Sequence, residues 1–280
     1  MKLNRVIVLG GSGLLGSCFK HIFKDKVIRV GRNKSNDIVI NKDIINTLDS
    51  ITQRNDLIVN ASWDIRLREW ENNLKLSREF KIFSEKIFQF CKRKNISSIF
   101  ISSDQVYKGK GPHNELENPL PLNKYGLAKL DCEKIALFYG ASVARLNFIS
   151  RDPLHKGRGW LENLVSNSTQ GKKITLFDNI FFSPCSGISA VNLISKIAML
   201  KTNDIFNIGG KDRFSKAHLS KRILDRLNIK NASIIIKSVE EFPDGIPREK
   251  DLSMDSKKIA KELNIELESI NETLDNSLFS

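Results

Sequence analysis

Tyr125 and Lys129 lie four residues apart in KYGLAK, a pattern that predicts the start of a helix. A four-residue step places both side chains on one helical face. Free tyrosine has a pKa of ~10 and exchanges protons poorly near neutrality, but a neighbouring ammonium stabilises the phenolate and lowers that pKa. The spacing therefore predicts a general acid–base pair, although a lysine-rich chain can also bring the two residues together by chance.

A group of polar residues, Ser102-Ser103-Asp104, ends an apolar stretch upstream of this pair, in ISSDQVY. In doubly wound sheets, ligands bind at the carboxyl edge of the strands. A serine hydroxyl at that edge could hydrogen-bond a substrate carbonyl and hold it against Tyr125. The alternative is that both hydroxyls only satisfy backbone groups where the strand ends.

Three glycines, Gly10, Gly13 and Gly16, follow the first apolar run at three-residue spacing, in GGSGLLG. Between a predicted strand and a predicted helix, this spacing is typical of a dinucleotide-binding turn. Gly10 would permit the tight turn, Gly13 the approach of a pyrophosphate, and Gly16 close packing of helix on strand. The alternative is a glycine turn that serves packing alone.

The residues after the second predicted strand bear on the choice of dinucleotide. NAD sites usually carry an acid there, whereas NADP sites offer an arginine to the 2′-phosphate. VIRVGRN ends in Gly31-Arg32, and the next acid is Asp37. Arg32 could hold a phosphate through paired hydrogen bonds, so NADP(H) is favoured and NAD(H) is the alternative.

Buried strands alternate with helices through the first half of the chain, which predicts βαβ crossovers and a doubly wound parallel sheet. Apolar runs rich in β-branched residues predict strands at 5–9, 27–30, 56–62, 98–104 and 142–148. Helical periodicity predicts helices after Gly13, near 43–53, at 73–94 and at 125–138.

The alternation loosens after residue 150, where a small α/β lobe is predicted. Its elements are a loop at 151–159, helices at 160–170, 189–200, 215–227 and 255–263, and strands at 173–177, 204–208 and 233–239. Ser215 and Asp255 are the predicted N-caps of the last two helices. The predicted division is a cofactor-binding domain at 1–150 and a substrate lobe at 151–280, with an element from 183–210 returning to the sheet.

Charge and composition narrow the classes of partner. The net charge of +13 is spread along the chain and is not gathered in a basic tract, so nucleic-acid binding is not expected. The four cysteines and four histidines lack metal-ligand spacing, which predicts a reduced, cytoplasmic protein without a metal site. No apolar run approaches the ~18 residues that span a bilayer, so no membrane segment is expected.

Several segments together resemble the extended short-chain dehydrogenase/reductases. They are GGSGLLG, NAS at 60–62, ISSDQVYKGKGPHNELENPLPLNKYGLAK and ARLNF, in the order of that family's motifs. The stretch 101–134 is most similar to the dTDP-4-dehydrorhamnose reductase branch, with its Ser-Thr-Asp-x-Val-Phe segment followed by Asn-x-Tyr-Gly-x-x-Lys. Later segments, FDNIFFSP, IFNIGG and the Pro-Arg before DLSMDS, extend the resemblance over nearly the whole chain.

The resemblance implies a Rossmann-type fold and the NADPH-dependent reduction of a nucleoside-diphosphate 4-keto-6-deoxy sugar, a step in nucleotide-sugar synthesis for surface polysaccharide. It implies that the catalytic residues are Ser103, Tyr125 and Lys129. The implied cofactor-binding residues are Gly10, Gly13, Leu14, Leu15, Gly16, Arg32, Ala61, Ser62, Tyr125 and Lys129. The implied substrate-side residues are Trp63, Asp104 and Asn147.

The chain departs from the family pattern at several positions. Trp63 stands where the family has a small residue, and Phe80 stands near the place of an asparagine usual in the long helix. Arg-Leu-Asn147 replaces Arg-Thr-Ser, and RDPLHKGRGW differs from the family's substrate loop. Two alternatives to the reductase therefore stay open: an NAD(P)-dependent nucleotide-sugar epimerase or dehydratase, and a non-catalytic cofactor-binding regulatory subunit. A nucleotide sugar is the expected small-molecule partner, and a homodimer is the expected assembly.

Overall fold

A seven-stranded sheet forms the centre of the protein in a computed structural model that describes residues 4–40, 43–62, 67–154, 157, 159–200, 202–241 and 245–278. Its strands, from one edge to the other, are β11 (Ile205–Ile208), β6 (Ser142–Leu146), β5 (Ser97–Ser103), β4 (Leu57–Asn60), β1 (Val6–Leu9), β2 (Val27–Gly31) and β3 (Ile38–Val39). All neighbouring pairs are parallel, so the predicted doubly wound parallel sheet is confirmed.

Alternate residues along the strands face two layers of helices. Val6 and Val8 point into one hydrophobic cluster, and Ile7 and Leu9 point into the other. The first cluster includes residues of α1 (Leu14–Phe23), α7 (Gly187–Leu200) and α9 (Lys257–Leu263). The second includes residues of α2 (Ile44–Ile51), α3 (Leu67–Asn72), α4 (Leu74–Lys94) and α5 (Lys124–Phe138). Because both faces are covered, the strands are rich in apolar residues on both sides, and β1 (VIVL) is wholly apolar.

A third hydrophobic cluster lies outside the sheet. It is formed by α6 (Trp160–Thr169), α8 (Lys216–Arg226), α10 (Ile270–Leu278) and β8 (Ile174–Phe177), which pairs with β13 (Ile234–Lys237). Two short pairs complete it: β7 (Phe148–Ile149) with β10 (Cys185–Ser186), and β9 (Phe181–Phe182) with β12 (Phe214–Ser215). Single 3₁₀ turns lie at Lys24–Lys26, Asp104–Val106 and Val239–Glu241. Within the ranges given above, no helix is both long enough and apolar enough to cross a membrane.

The helix caps differ in part from the predictions. Ser215 caps α8 as predicted, and its hydroxyl accepts the backbone N–H of His218 at 3.2 Å. The prediction for Asp255 is wrong by one residue, because Ser256 is the N-cap of α9. The Asp255 carboxylate nevertheless accepts the backbone N–H of Lys257 at 2.9 Å, so its negative charge still lies at the positive end of the helix.

Helices α3 and α10 and the two-residue strands β3, β9, β10 and β12 lie outside the sequence predictions. A signal for α10 is present, since Ser269-Ile-Asn-Glu272 is a capping box in which the Ser269 N–H donates to Glu272 Oε2 at 2.8 Å. Helix α3 has six residues and β3 has two, too few for a periodic pattern to emerge. The strand predicted at 142–148 is two strands, β6 and β7, interrupted at Asn147.

Candidate active site

The segments predicted to carry chemistry lie along one edge of the central sheet. Because the strands are parallel, the carboxyl ends of β1, β2, β4, β5 and β6 meet there. The register pairs Leu9 with Asn60 and Ser103 with Leu146. The residues that follow or end these strands are the glycine turn, Arg32, Ala61, Ser103 and Asn147.

The turn between β1 and α1 requires glycine at two positions for reasons within the protein. Gly10 has φ +80°, and a Cβ there would lie 2.4 Å from the Ala61 carbonyl oxygen. A Cβ at Gly16 would lie 2.3 Å from the Gly11 carbonyl oxygen. The predicted reason for Gly10, a tight turn, therefore agrees with the geometry. At Gly16 the close contact is between α1 and the turn itself, and not between helix and strand.

Gly13 is different, because the protein itself leaves room at this position. Its φ is −76°, and a Cβ there would lie 3.2 Å from its nearest neighbour, the Gly10 carbonyl oxygen. Gly13 is also the N-cap of α1, and no side chain caps this ten-residue helix. The first N–H groups of a helix have no partner within it, so a pyrophosphate fits the space and the hydrogen-bond donors that Gly13 leaves open.

The two leucines of this turn have different surroundings. The Leu15 side chain is buried in the first hydrophobic cluster, so it could reach a cofactor only through its backbone N–H. Leu14 is half-buried and lies against the loop before α6, where a Cβ at Gly159 would come within 2.8 Å of Leu14 Cδ2. The loop predicted to belong to the substrate lobe therefore approaches the dinucleotide turn.

Arg32 follows β2 and is exposed, whereas the nearest downstream acid is already engaged. Arg29 Nη2 donates to Asp37 Oδ1 at 2.8 Å, and the Arg29 backbone N–H donates to Asp37 Oδ2 at 2.9 Å. Burial acts to raise the pKa of Asp37, but the hydrogen bonds and charge of Arg29 outweigh it and lower that pKa. Asp37 is thus an ion-pair partner, and this arrangement favours a 2′-phosphate over a ribose hydroxyl beside Arg32.

Helix α5 begins one residue earlier than predicted and approaches the end of β5 very closely. Asn123 caps it, with Asn123 Oδ1 accepting the Gly126 N–H at 2.8 Å. A Cβ at Gly126 would lie 2.3 Å from the Gln105 carbonyl oxygen, two residues beyond Ser103. Glycine at this position therefore lets the first turn of α5 place Tyr125 against the segment that carries Ser103.

Tyr125 is held by aromatic side chains and is 3% exposed. Its ring meets Trp70 of α3 edge-on at 5.5 Å between centroids, and Trp70 in turn meets Phe80 at 5.6 Å. The sequence analysis does not identify Trp70, because its helix is too short to predict. Such packing fixes the orientation of the phenol ring while water is excluded from one side of it.

Lys129 is buried one helical turn after Tyr125, as the spacing predicts. Its ammonium Nζ lies 5.6 Å from the Tyr125 ring centroid and 5.0 Å from that of Phe80, and it donates to the Ile101 carbonyl oxygen at 2.9 Å. Burial lowers the pKa of Lys129 to about 8, while the charge of Glu133 acts in the opposite direction. An ammonium has three hydrogens, so two remain for a ligand such as a ribose.

Lys129→Met is expected to stabilise the protein near neutrality and to abolish its function. A pKa of about 8 in the folded protein, below the ordinary 10.5, means that folding buries a cation at pH 7. This cost is constant below pH 8 and disappears between pH 8 and 10.5, where the folded state releases the proton first. The melting temperature should therefore rise at pH 7, where the unfolding free energy should increase by on the order of 1–3 kcal/mol. This gain in stability should shrink toward pH 10.

The same variant should lose at least ~100-fold in NADPH oxidation, because the charge next to Tyr125 is gone. Lys134→Met, at an exposed position of the same helix, is the matched control and should change neither property. A lower melting temperature at pH 7, or turnover within tenfold of the parent, contradicts this assignment.

Ser103 ends β5 in a group of hydrogen-bonded polar side chains. Its hydroxyl donates to Asp104 Oδ1 at 2.9 Å and accepts the Gln105 N–H at 3.2 Å, while Asn147 Nδ2 donates to Asp104 Oδ2 at 2.7 Å. Burial raises the pKa of Asp104 to about 6, against the Ser103 hydrogen bond and the charge of Lys216 at the start of α8. The structure thus brings together Ser103, Asp104 and Asn147, which the sequence analysis places on the carbonyl and substrate side.

Ser102 does not share this environment. Its hydroxyl donates to Glu133 Oε1 of α5, in a hydrogen bond buried on the helix side of β5. Of the two serines left open by the sequence, Ser103 is therefore the one at the candidate site. Glu133 and its partner Arg145 escape the sequence analysis, since their only local signal is the four-residue step from Lys129 to Glu133.

The residues after β4 are described in part. Ala61 is half-buried beside Gly10, and the buried Ser62 hydroxyl donates to Asn60 Oδ1. Trp63 lies outside the described residues, so its place beside the substrate stays a prediction. Phe80 is fully buried against Lys129, which places an aromatic face where the family's usual asparagine would offer an amide. Among the residues described, no three His, Cys, Asp or Glu side chains form a group that could hold a metal ion.

The parallel sheet, the glycine turn after β1 and the Tyr–Lys helix beside β5 define a Rossmann-type protein of the extended short-chain dehydrogenase/reductase class. A family model described as "RmlD substrate binding domain" matches residues 4–279, and the chain belongs to this family. The resemblance noted from the motifs is thereby confirmed. A comparison with curated proteins finds no match.

Solved structures share this fold over nearly their whole length. A dTDP-4-dehydrorhamnose reductase from Bacillus anthracis, in complex with NADP, has a TM-score of 0.83 at 17% identity and covers 99% of each chain. One from Yersinia enterocolitica has a TM-score of 0.83 at 20% identity, covering 98% of this chain and 100% of its own. A UDP-N-acetylglucosamine 4-epimerase from Bacillus cereus has a TM-score of 0.78 at 19% identity, covering 98% and 94%. At these identities the likeness establishes the fold.

Proposed function

We propose that the protein is an NADPH-dependent reductase of a 4-keto-6-deoxy sugar carried by a nucleoside diphosphate, and that it acts in nucleotide-sugar synthesis. The observation that carries this proposal is the buried Lys129 ammonium, 5.6 Å from the Tyr125 ring, on a helix that abuts the end of β5. Family membership and the similar structure that contains NADP support the choice of substrate and cofactor.

Each residue has a distinct role in the proposed reaction. A bound NADPH would supply the hydride to the keto carbon. Tyr125 donates its phenolic proton to the alkoxide oxygen that develops there, and Lys129 stabilises the phenolate left behind. The Ser103 hydroxyl, which donates to Asp104 and accepts the Gln105 N–H, would turn its proton from Asp104 to the sugar oxygen and so hold that oxygen next to Tyr125. Asp104 and Asn147 present polar groups to the rest of the sugar.

The experiment that tests this proposal measures NADPH oxidation by the purified protein with a panel of nucleoside-diphosphate keto sugars. Stoichiometric consumption of NADPH supports the reductase. Conversion of a nucleotide sugar without net consumption identifies the epimerase or dehydratase, which regenerates its cofactor. Binding of NADP(H) without turnover of any sugar, together with a co-purifying enzyme, identifies the regulatory subunit.

Arg32→Ala should reduce the affinity for NADPH by roughly 10- to 100-fold and leave the affinity for NADH unchanged. The reason is that charge-assisted hydrogen bonds from a guanidinium to the 2′-phosphate exist only with NADPH. Binding is measured by nicotinamide fluorescence, with Arg54→Ala as a control, since Arg54 is exposed and precedes β4 at the opposite end of the sheet. An equal loss for both dinucleotides contradicts the proposed preference for NADP(H).

The proposal extends to the lobes, the assembly and the location. Residues 151–280 act as the substrate lobe, except for β11, α7 and α9, which lie with the central sheet. A homodimer is supported by Leu127 and Phe138, which are 50% and 73% exposed and lie three turns apart on one face of α5; the molar mass in solution decides this. A cytoplasmic location accords with four free, buried cysteines. The proposal that nucleic acid is not a partner rests on the even spread of the positive charge along the chain.

A further inference from the structure

A buried ion pair joins the candidate catalytic helix to the central sheet. Arg145 of β6 donates to both carboxylate oxygens of Glu133 of α5, from Nη2 at 2.7 Å and from Nε at 3.0 Å. Both side chains are 2% exposed. The third guanidinium nitrogen, Nη1, donates to the Tyr107 hydroxyl at 2.8 Å, which in turn donates to Asn207 Oδ1 at 2.8 Å. Each of the three guanidinium nitrogens thus donates a hydrogen bond.

The Glu133 carboxylate contacts both elements that carry the candidate catalytic residues. Glu133 lies one helical turn beyond Lys129 on α5, on the same face as Lys129 and Tyr125. It also accepts the hydroxyl of Ser102, the residue before Ser103 on β5. One side chain therefore fixes the distance between the helix that carries Tyr125 and the strand end that carries Ser103.

Stability alone does not account for such a pair. Replacing a buried ion pair with well-packed apolar residues is often neutral or stabilising, because desolvation offsets the attraction between the charges. The charge of Glu133 has a second effect, since it favours the protonated form of Lys129 against the cost of burial. Arg145 neutralises part of that charge, so the two residues together set the electrostatic potential at Lys129.

We propose that Glu133 and Arg145 are positioning residues for the Tyr125–Lys129 pair: their ion pair fixes α5 against β5, and their opposite charges together set the electrostatic potential at the ammonium. For catalysis this inference rests on the proposed reductase function. The two residues act through Lys129 and Tyr125 and do not touch the reacting atoms.

The other groups around Lys129 carry no competing charge. Helix α4 presents the Phe80 ring, and β5 presents the Phe100 ring and the Ile101 carbonyl oxygen. Cys132 on α5 is also close, but burial raises the pKa of its thiol to about 11, so it is neutral in the working range. Among the neighbours named here, Glu133 is therefore the group whose charge acts on Lys129 in the working range.

The test compares Glu133→Gln with Arg145→Gln, which remove opposite charges from nearly the same place. Loss of a negative charge favours deprotonation of its neighbours, and loss of a positive charge opposes it. Glu133→Gln should lower the pH at which Tyr125 ionises, and Arg145→Gln should raise it, each by about half a pH unit or more. A purely structural role would move neither, or both in the same direction.

The first readout is the ultraviolet absorbance of tyrosinate, with each variant measured against its own Tyr125→Phe partner to isolate Tyr125. It needs neither cofactor nor sugar. The second readout is the alkaline limb of the pH profile of kcat/KM for NADPH oxidation, which should shift in the same directions. If the parent protein oxidises no NADPH with any keto sugar, the proposed function fails, while the absorbance still decides the role of the pair.

Two further variants separate this effect from unfolding. Either single variant leaves a buried charge without its partner, so the double variant Glu133→Gln/Arg145→Gln is included. In the double variant, Tyr125 should ionise at a pH between the values for the two single variants. Asp56→Asn breaks the ion pair between the buried Asp56 and the partly exposed Arg5, at 2.7 Å, at the opposite end of the sheet. This variant should lower the melting temperature and leave the pH at which Tyr125 ionises unchanged. The proposal is overturned if the pH midpoint of Tyr125 ionisation is the same in all variants. It is also overturned if this midpoint lies beyond the measurable pH range in all of them.

Discussion

Tyr125→Phe should reduce NADPH oxidation by roughly 10²- to 10⁴-fold while the protein stays folded and binds NADPH. The variant removes one oxygen and keeps the ring that packs edge-on against Trp70 at 5.5 Å. The Lys129 ammonium also keeps its hydrogen bond to Ile101 and its contacts with the rings of Phe80 and Phe100. The loss should therefore appear in kcat, because the proton donor is missing and the binding surfaces are intact.

The matched control is Tyr139→Phe, which removes the hydroxyl that donates to Glu85 at 3.2 Å, at the opposite end of α5. It should retain full turnover. Melting temperature and NADPH affinity are measured for both variants, so that misfolding is not mistaken for a chemical defect. Turnover of Tyr125→Phe within tenfold of the parent would mean that another group protonates the sugar.

Gly13→Ala and Gly16→Ala should separate cofactor binding from folding. At Gly16 the added methyl group would lie 2.3 Å from the Gly11 carbonyl oxygen, so α1 must move away from the turn, at a cost of about 1–3 kcal/mol in unfolding free energy. At Gly13 the nearest atom is 3.2 Å away and the backbone has an ordinary φ of −76°. Gly13→Ala should therefore fold with nearly the parent's melting temperature.

Gly13→Ala, which should hardly change the melting temperature, should weaken NADPH binding. Because the Gly13 methyl group would occupy the space of the pyrophosphate, its variant should bind NADPH roughly 10- to 100-fold more weakly. The loss should be equal for NADH, which has the same pyrophosphate, in contrast to Arg32→Ala. Unchanged affinity in Gly13→Ala would place the dinucleotide elsewhere.

Local sequence patterns were sufficient to predict many of the helices and strands. Strands β1 and β4 are almost wholly apolar, and β2 and β5 contain shorter apolar runs rich in β-branched residues. A parallel sheet covered by helices buries such runs on both faces. Helix α4 has 21 residues, long enough for its periodicity to define it, and it ends at Asn95 in the left-handed conformation after Lys92, Arg93 and Lys94. The short elements β3 and α3 depend on contacts with distant residues and have no comparable signal.

The residues of the candidate site also divide into those with a local sequence signal and those that depend on contacts between distant parts of the chain. The spacings of Gly10, Gly13 and Gly16 and of Tyr125 and Lys129 are local, and each group lies within one turn or one helix. Asp104 and Asn147 were singled out from motifs, but their contact at 2.7 Å joins two strands. Trp70 had no signal, since what matters is its contact with Tyr125 on another helix.

The sequence by itself determined the class of fold and predicted the dinucleotide turn and the acid–base pair, because each depends on residues close together in the chain. Tertiary structure alone decided that Ser103 faces the site while Ser102 bonds Glu133, and that Gly126 lets α5 approach Gln105. It also decided that Lys129 is buried among aromatic rings, which lowers its pKa to about 8. Burial and long-range electrostatics are properties of the packed chain, so no spacing in the sequence encodes them directly.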